Sequence, residues 1–497
     1  MVTYAVPLVL GVLIGTAASH LGGQFLLYVA AIAVLVYVIS LPVRLVVLLC
    51  VGFLIGDKAF AVLVLRLPGF PLYITEACIA TTLALLFLKY LMLPSTALCR
   101  RNMALVRKPA LMFWGVGTAV LFISVWNCIA GPGLLLPTLR NAASFYYSVF
   151  YLFVLFTFND VYLAMKLTHA YAAIIVIMSI RFLLEFNQLL PTEIPQTEVN
   201  FFCIVAPVAV SMLFCTLPVM RHKAATLLLI ILISIAVVQT DIRQGILGLI
   251  CGGLCSWWLL RRFGLLSSGH RKVQFVLLAL FLASVVMLVL RDDLGIRPGL
   301  DAYGPDGQIL FLATPEQEYW IERVPIWDRM IERDFSDTGR REMWVSFLAD
   351  MSQSWTSVVF GVGFDRLFIP DWMLEMTKAE LMRNKATGVN QLDPHNSHLH
   401  LLYRIGVIGF VAYLMLIRGA FVSSFKYLRE GTSVRLKYYT VGFLSALAGV
   451  GGEALVGVLF EAPHRGIPFW VLLGVSTCFP RVALENERRA SNETERN

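Results

Sequence analysis

The stretch Asp393-Pro394-His395-Asn396-Ser397-His398-Leu399-His400-Leu401-Leu402-Tyr403-Arg404-Ile405-Gly406-Val407-Ile408-Gly409-Phe410, which stays apolar to Ile417, decides the fold. Pro394 acts as a stop, and Asn396 and Ser397 carry side chains that cap the free N–H groups of a starting helix. From His398 to Ile417 the chain holds one permanent charge, Arg404, over a length that crosses a hydrocarbon layer. The residues before it are the most polar of the protein. Residues 291–397 contain 18 of the 32 acidic and 11 of the 40 basic side chains, a net of −7. The other 390 residues carry 14 acidic and 29 basic, a net of +15. The formal charge of +8 is therefore no single basic surface, and it gives no case for nucleic acid binding.

Outward from this boundary the composition is that of a membrane protein. Of 497 residues, 58% are hydrophobic and 14% charged, against roughly 25% charged in soluble chains. Apolar runs occur at 4–20, 24–40, 44–65, 73–93, 110–130, 141–158, 162–185, 199–219, 224–240, 242–260, 273–290, 398–417, 438–459 and 466–480. The third carries Asp57 and Lys58 and the last is short, so the count is 12–14 spans. Basic clusters at Arg100–Lys108, Arg221–Lys223, Arg261–Lys272 and Arg418–Lys437 all fall on one side of a fourteen-span topology. The positive-inside rule makes that side cytoplasmic. Both termini are then cytoplasmic and the acidic insert faces outward. The first run lacks Lys and Arg ahead of it and another span follows at once, so it reads as a retained helix. The expected organisation is a bundle over 1–290, an outer loop over 291–397, further spans over 398–480 and a disordered cytoplasmic tail over 481–497. All nine cysteines lie outside the outer loop, so no secreted-type disulfide framework is expected there. Cys251 and Cys255 read as small packing residues of a span.

Within the outer loop, Asp301–Gly307 reads as turns, and helices are expected over 316–332 and 340–355. In the second, Trp344, Phe347, Leu348, Met351 and Trp355 form one apolar stripe, fit to lie on the membrane or cover a cavity. Five of the ten tryptophans are in the insert. They read either as an aromatic belt at headgroup level or as faces for sugar rings. His395 stands just outside the N-terminus of a membrane helix, whose dipole favours neutral imidazole, and a neutral imidazole there is a candidate general base. Gly406 and Gly409 offer a close approach to another helix. Arg404, inside the span, needs a partner and reads as a phosphate ligand or as half of a structural pair, with Glu453 a candidate mate.

This stretch resembles the O-antigen ligase and polymerase superfamily, whose signature is His-Asn/Ser/Gln followed by a Gly-x-x-Gly helix. Gly361-Val362-Gly363-Phe364 is similar to its glycine turn, Thr338-Gly339-Arg340 with Trp344 to the start of its loop helix, and Leu139-Arg140-Asn141 to a span start bearing an arginine. Thr240-Asp241-Ile242-Arg243-Gln244-Gly245 resembles its Ser-Arg-Gly turn, with Asp for Ser and Gln inserted before Gly. The resemblance implies an all-α polytopic membrane protein of the GT-C type with one large periplasmic loop, in the bacterial inner membrane. It implies glycan transfer from undecaprenyl diphosphate to a hydroxyl of lipid A–core or of a growing glycan, without metal or other cofactor. His395 would be the base, Arg140, Arg243, Arg340 and Arg404 the diphosphate ligands, and Asn396, Ser397, Trp344, His464 and Arg465 further substrate contacts.

Rival readings rest on particular residues. Asp292-Asp293 is the one adjacent Asp pair and reads as a metal site or as a salt-bridging partner of Arg291. His398 and His400 fall on different helix faces, which disfavours zinc. One large outer loop, with only about 13 residues at 186–198, favours a ligase over an O-antigen or exopolysaccharide polymerase. A protein-acceptor oligosaccharyltransferase and a transporter are the remaining alternatives.

Overall fold

The computed structural model describes residues 64–67, 70–73, 106–131, 135–158, 160–186, 196–239, 243–266, 337–366, 396–457, 459–460 and 463–496. The spans expected at 4–20, 24–40, 73–93 and 273–290, most of 44–65, and the helix at 316–332 lie outside them. So do the turns at 301–307, Asp292, Asp293 and His395.

A short antiparallel hairpin, β1 (Val64–Leu67) and β2 (Phe70–Tyr73), pairs Val64 with Tyr73 and Leu67 with Phe70. Among the described residues the other regular elements are helices: α1 (Arg107–Ala130), α2 (Leu135–Asn141), α3 (Ala143–Tyr146), α4 (Val149–Thr157), α5 (Val161–Phe186), α6 (Gln196–Thr216), α7 (Lys223–Gln239), α8 (Arg243–Arg262), α9 (Asp337–Ser352), α10 (Trp355–Phe360), α11 (Ser397–Glu430), α12 (Val434–Glu453) and α13 (Pro463–Arg496). Among the described residues, four helices are long and apolar enough to cross a membrane: Arg107–Ala130, Ala164–Leu184, Ser397–Glu430 and Gly466–Glu493. The chain is thus an all-α, multi-pass membrane protein. Leu111, Phe122, Trp126 and Ile129 of α1 and Ile177 of α5 are exposed, as lipid-facing side chains are. Polar side chains inside the helices bond their own backbone instead. Ser179, Ser234, Thr440 and Thr477 each donate to the carbonyl four residues back.

Two packing devices hold the bundle. Helices α8 and α12 approach through small residues, Gly248 and Gly252 against Ser445 and Gly449. A Cβ on Gly449 would stand 2.9 Å from the Gly248 carbonyl. Cys251 lies against Gly452 in the same seam, a packing residue as expected. An aromatic cluster joins α1, α3, α11 and α13, with Phe113 and Tyr413 at 5.6 and 5.9 Å from the ring of Trp470.

Three boundaries differ from the sequence reading. α11 does not end near Ile417 but runs to Glu430, because Ser423 and Ser424 bond the carbonyls of Thr477 and Ser476 on α13, so Arg418 and Lys426 sit on a helix. The expected disordered tail is helical through Arg496. Glu487 ties it to the α11–α12 turn by accepting from Tyr427 Oη and the N–H groups of Thr432 and Ser433, and Arg488 pairs with Glu430. Within residues 337–360, the apolar stripe splits between two helices. Phe347 and Met351 bury against Tyr403, whereas Leu348 and Trp355 are exposed.

Candidate functional site

The site forms where helix ends meet. Asn396 caps α11: its backbone is extended and its Oδ1 accepts from Leu399 N–H at 2.9 Å. Ser397 joins this end to the turn that leaves α12. Its N–H donates to the Ala454 carbonyl at 2.9 Å and its hydroxyl to the Gly457 carbonyl at 3.1 Å. The same hydroxyl accepts from Leu459 and Phe460 N–H at 2.6 and 3.2 Å. These bonds make the buried Ser397 hydroxyl a staple between chain segments. Gln244, next to Arg243 at the start of α8, donates to the Val456 carbonyl of this turn at 3.3 Å. Glu453, the last residue of α12, is 1% exposed and lies against Gly248 of α8. His464 and Arg465 fall in the first turn of α13, the helix that follows.

His398 and His400 face different ways, each engaged by the protein. His398 lies between the Gly451 carbonyl at 3.0 Å and Tyr413 Oη at 3.2 Å. His400 Nε2 accepts from Arg404 Nε at 3.1 Å, which places the proton of a neutral ring on Nδ1.

One helical step further, α11 breaks. Gly406 has φ +66° and ψ −176°, a backbone region open essentially to glycine alone. The sequence reading assigned Gly406 and Gly409 to helix–helix contact. Gly406 does meet another helix, the C-terminal end of α10 at Val359 and Gly361, which fills the break, whereas Gly409 lies against Ile405 of its own helix. The break leaves carbonyls of the half-helix 397–405 without helical donors, and the glycine turn 361–363 supplies them. Val362 N–H reaches the Tyr403 carbonyl at 2.8 Å and Gly363 N–H the Arg404 carbonyl at 3.3 Å. Gly361 and Gly363 hold positive φ, +89° and +94°, which this turn requires. The remaining 407–430 measures about 36 Å, enough to cross a bilayer alone. The half-helix is thus available to carry site residues.

The 361–366 segment is gripped from every side. Ser124 Oγ of α1 accepts from Phe364 N–H at 2.8 Å, Asn127 Nδ2 donates to Asp365 Oδ2 at 3.1 Å, and Asn141 Nδ2 of α2 donates to the Phe364 carbonyl at 2.8 Å. Arg366 pairs with Asp350 of α9 at 2.8 Å, and Asp350 also accepts from Tyr403 Oη. Arg404, 3% exposed, turns its guanidinium into this segment, with Nη1 at 3.0 Å from the Gly363 carbonyl and 2.7 Å from that of Arg366. The structure thus brings together Asn396, Ser397, Glu453 and the starts of α8 and α13 at one end of the half-helix. At its other end it brings together Arg404, the glycine turn and the end of α2, where Arg140 precedes Asn141. Arg340 lies in α9 and Trp344, half-buried, one turn on. The side chains of Arg140, Arg243, Arg340, His464 and Arg465 lie outside what the structure describes, as does His395 itself. Asn141, Asp350 and Gln244 were not among the sequence candidates. Two of them adjoin a candidate arginine, the signal available for finding them.

With this geometry in hand, a family model described as O-antigen ligase matches residues 228–414, from within α7 to the middle of α11. No curated protein matches the chain.

Proposed function

We propose that the chain, whose residues 228–414 match a family model described as O-antigen ligase, is a glycosyltransferase of the O-antigen ligase and polymerase superfamily, set in the inner membrane with its site facing the periplasm. It moves a glycan from undecaprenyl diphosphate to a hydroxyl of lipid A–core. His395 removes the proton of the acceptor hydroxyl, the oxygen attacks the anomeric carbon, and the bond from that carbon to the diphosphate breaks. The electron pair leaves with the diphosphate. Arg140, Arg243 and Arg340 bind its oxygens, where guanidinium forks are worth most because the charge on the leaving group grows in the transition state. Asn396 Nδ2, Trp344, His464 and Arg465 complete the substrate contacts.

The observation that carries this reading is the family match over a segment that includes the Asn396-capped half-helix, docked against the start of α8 and the end of α12. The short connection between Phe186 and Gln196 supports a ligase over a polymerase, since it leaves one large outer loop. The test is deletion of the gene followed by electrophoresis of the lipopolysaccharide. A ligase predicts loss of every ladder band on core, with polymer retained on the lipid carrier. A single repeat unit on core identifies a polymerase, and unchanged lipopolysaccharide with lost secreted polymer an exopolysaccharide enzyme. An unchanged glycan profile in every fraction refutes all three.

A further inference from the structure

Arg404 carries a permanent charge into a buried position and directs its donors at protein. Nε meets His400 on its own half-helix, and Nη1 meets two carbonyls of the 361–366 segment. Its guanidinium also lies 5.4 Å from the centroid of the Tyr403 ring, whose hydroxyl bonds Asp350. On the far side of the same segment, Asn141 holds the Phe364 carbonyl, and Asn141 directly follows Arg140. The half-helix that bears Arg404 starts one residue after Asn396, the neighbour of His395. One guanidinium therefore joins the element that leads from the base to the element that sits beside a phosphate-binding arginine.

We propose that Arg404 is a positioning residue for glycan transfer, acting with His400 to latch the 361–366 segment onto the half-helix 397–405, and that it is not a ligand of the donor phosphate. The inference rests on the function proposed above. The planar fork of arginine suits it to three acceptors in two directions, whereas a lysine ammonium on a flexible stem cannot reproduce that set. Releasing the latch would leave a buried cation without its acceptors, so the docked arrangement is strongly preferred while they remain. The glycines act in the same sense. A Cβ on Gly361 or on Gly406 would collide with the backbone of the opposing segment, so side chains there would pry apart what Arg404 holds together.

Amide hydrogen exchange on the detergent-solubilised full chain reads the latch without any substrate. Arg404→Lys is expected to speed exchange in peptides covering 358–366 and 397–405 by about tenfold, with α6, α8 and α12 unchanged. Asn127→Ala, which removes one exposed anchor of the same segment, should give a smaller effect in the same peptides. In a transfer assay with polyprenyl-diphosphate-linked glycan, Arg404→Lys should lower kcat on the order of tenfold or more, with the donor KM within about twofold of wild type. Unchanged exchange in Arg404→Lys overturns the proposal, as does a raised donor KM with kcat retained, the signature of a phosphate ligand. Should Arg404→Lys not fold, His400→Gln and Asn127→Ala carry the same two readouts. A wild-type protein that transfers nothing from this donor defeats the proposed function, and the exchange result then still decides whether the latch exists.

Discussion

Gly406→Ala is the sharpest probe of the broken helix. The residue sits at φ +66°, ψ −176°, a conformation that costs a non-glycine residue about 1–3 kcal/mol. The added methyl also lacks space. It would fall within van der Waals contact of Gly361 N and the Val359 carbonyl, both backbone atoms that cannot rotate away, which adds about 1–3 kcal/mol of overpacking. If the 361–363 turn yields, the bonds from Val362 and Gly363 N–H to the half-helix carbonyls are lost, each worth about 0.5–1.5 kcal/mol. By either route the substitution should cost about 2–6 kcal/mol, a large part of a typical folding free energy of about 5–15 kcal/mol. Gly409→Ala is the internal control. It lies three residues on in the same helix without a positive φ, and the atoms nearest its new methyl belong to the Ile405 side chain rather than to an opposing backbone. Its cost should be about 1–3 kcal/mol of overpacking, without the backbone strain. Thermal unfolding of both variants in detergent, beside wild type, makes the comparison. A Gly406→Ala protein that melts together with Gly409→Ala refutes the reasoning, because the break would then have no requirement for glycine.

Two further perturbations test the joints around the site and the tail. Ser397→Ala removes one donor and leaves Leu459 and Phe460 N–H groups buried without their acceptor, so it should destabilise by about 1–3 kcal/mol, read as a lowered melting temperature; a neutral outcome would show that this hydroxyl is no staple. Glu487→Ala should speed amide exchange at Thr432 and Ser433 with little change at Asn396–Arg404, and equal exchange in variant and wild type would show that the tail is not tied at this carboxylate.

What the sequence made legible follows a physical division. Apolar runs of membrane length are local properties, so α1, α5 to α8 and α11 to α13 lie over the expected runs, whereas the run at 141–158 is divided between α3 and α4, and α2 precedes it. The Asn396 cap was equally plain, because a cap is read from one residue and the proline two before it. The glycines were visible, but their use was not. Gly406 meets the end of α10 as a close-approach glycine does, but that it also breaks its own helix depends on what lies opposite, and the 359–363 segment is about 45 residues away in sequence. Ser397 shows the same limit: its role as a staple was not legible because its partners at Gly457, Leu459 and Phe460 are about 60 residues distant. The end of α11 and the tail were missed for a related reason. Charged residues signal the end of a span, but they do not end a helix that finds partners beyond it, as α11 does with Ser476 and Thr477 and the tail with Thr432 and Ser433. Arg404 was suspected from its charge alone, and its three acceptors could only be seen in the fold.

The account stands or falls on whether His395 acts as the base at the head of this half-helix. The decisive measurement is transfer of glycan from undecaprenyl diphosphate to lipid A–core by purified protein, comparing wild type with His395→Ala at matched folding and matched donor binding. The account predicts that wild type transfers and that His395→Ala loses transfer by a factor on the order of 10²–10⁴, while melting as wild type does. A His395→Ala protein that transfers glycan at the wild-type rate would contradict it.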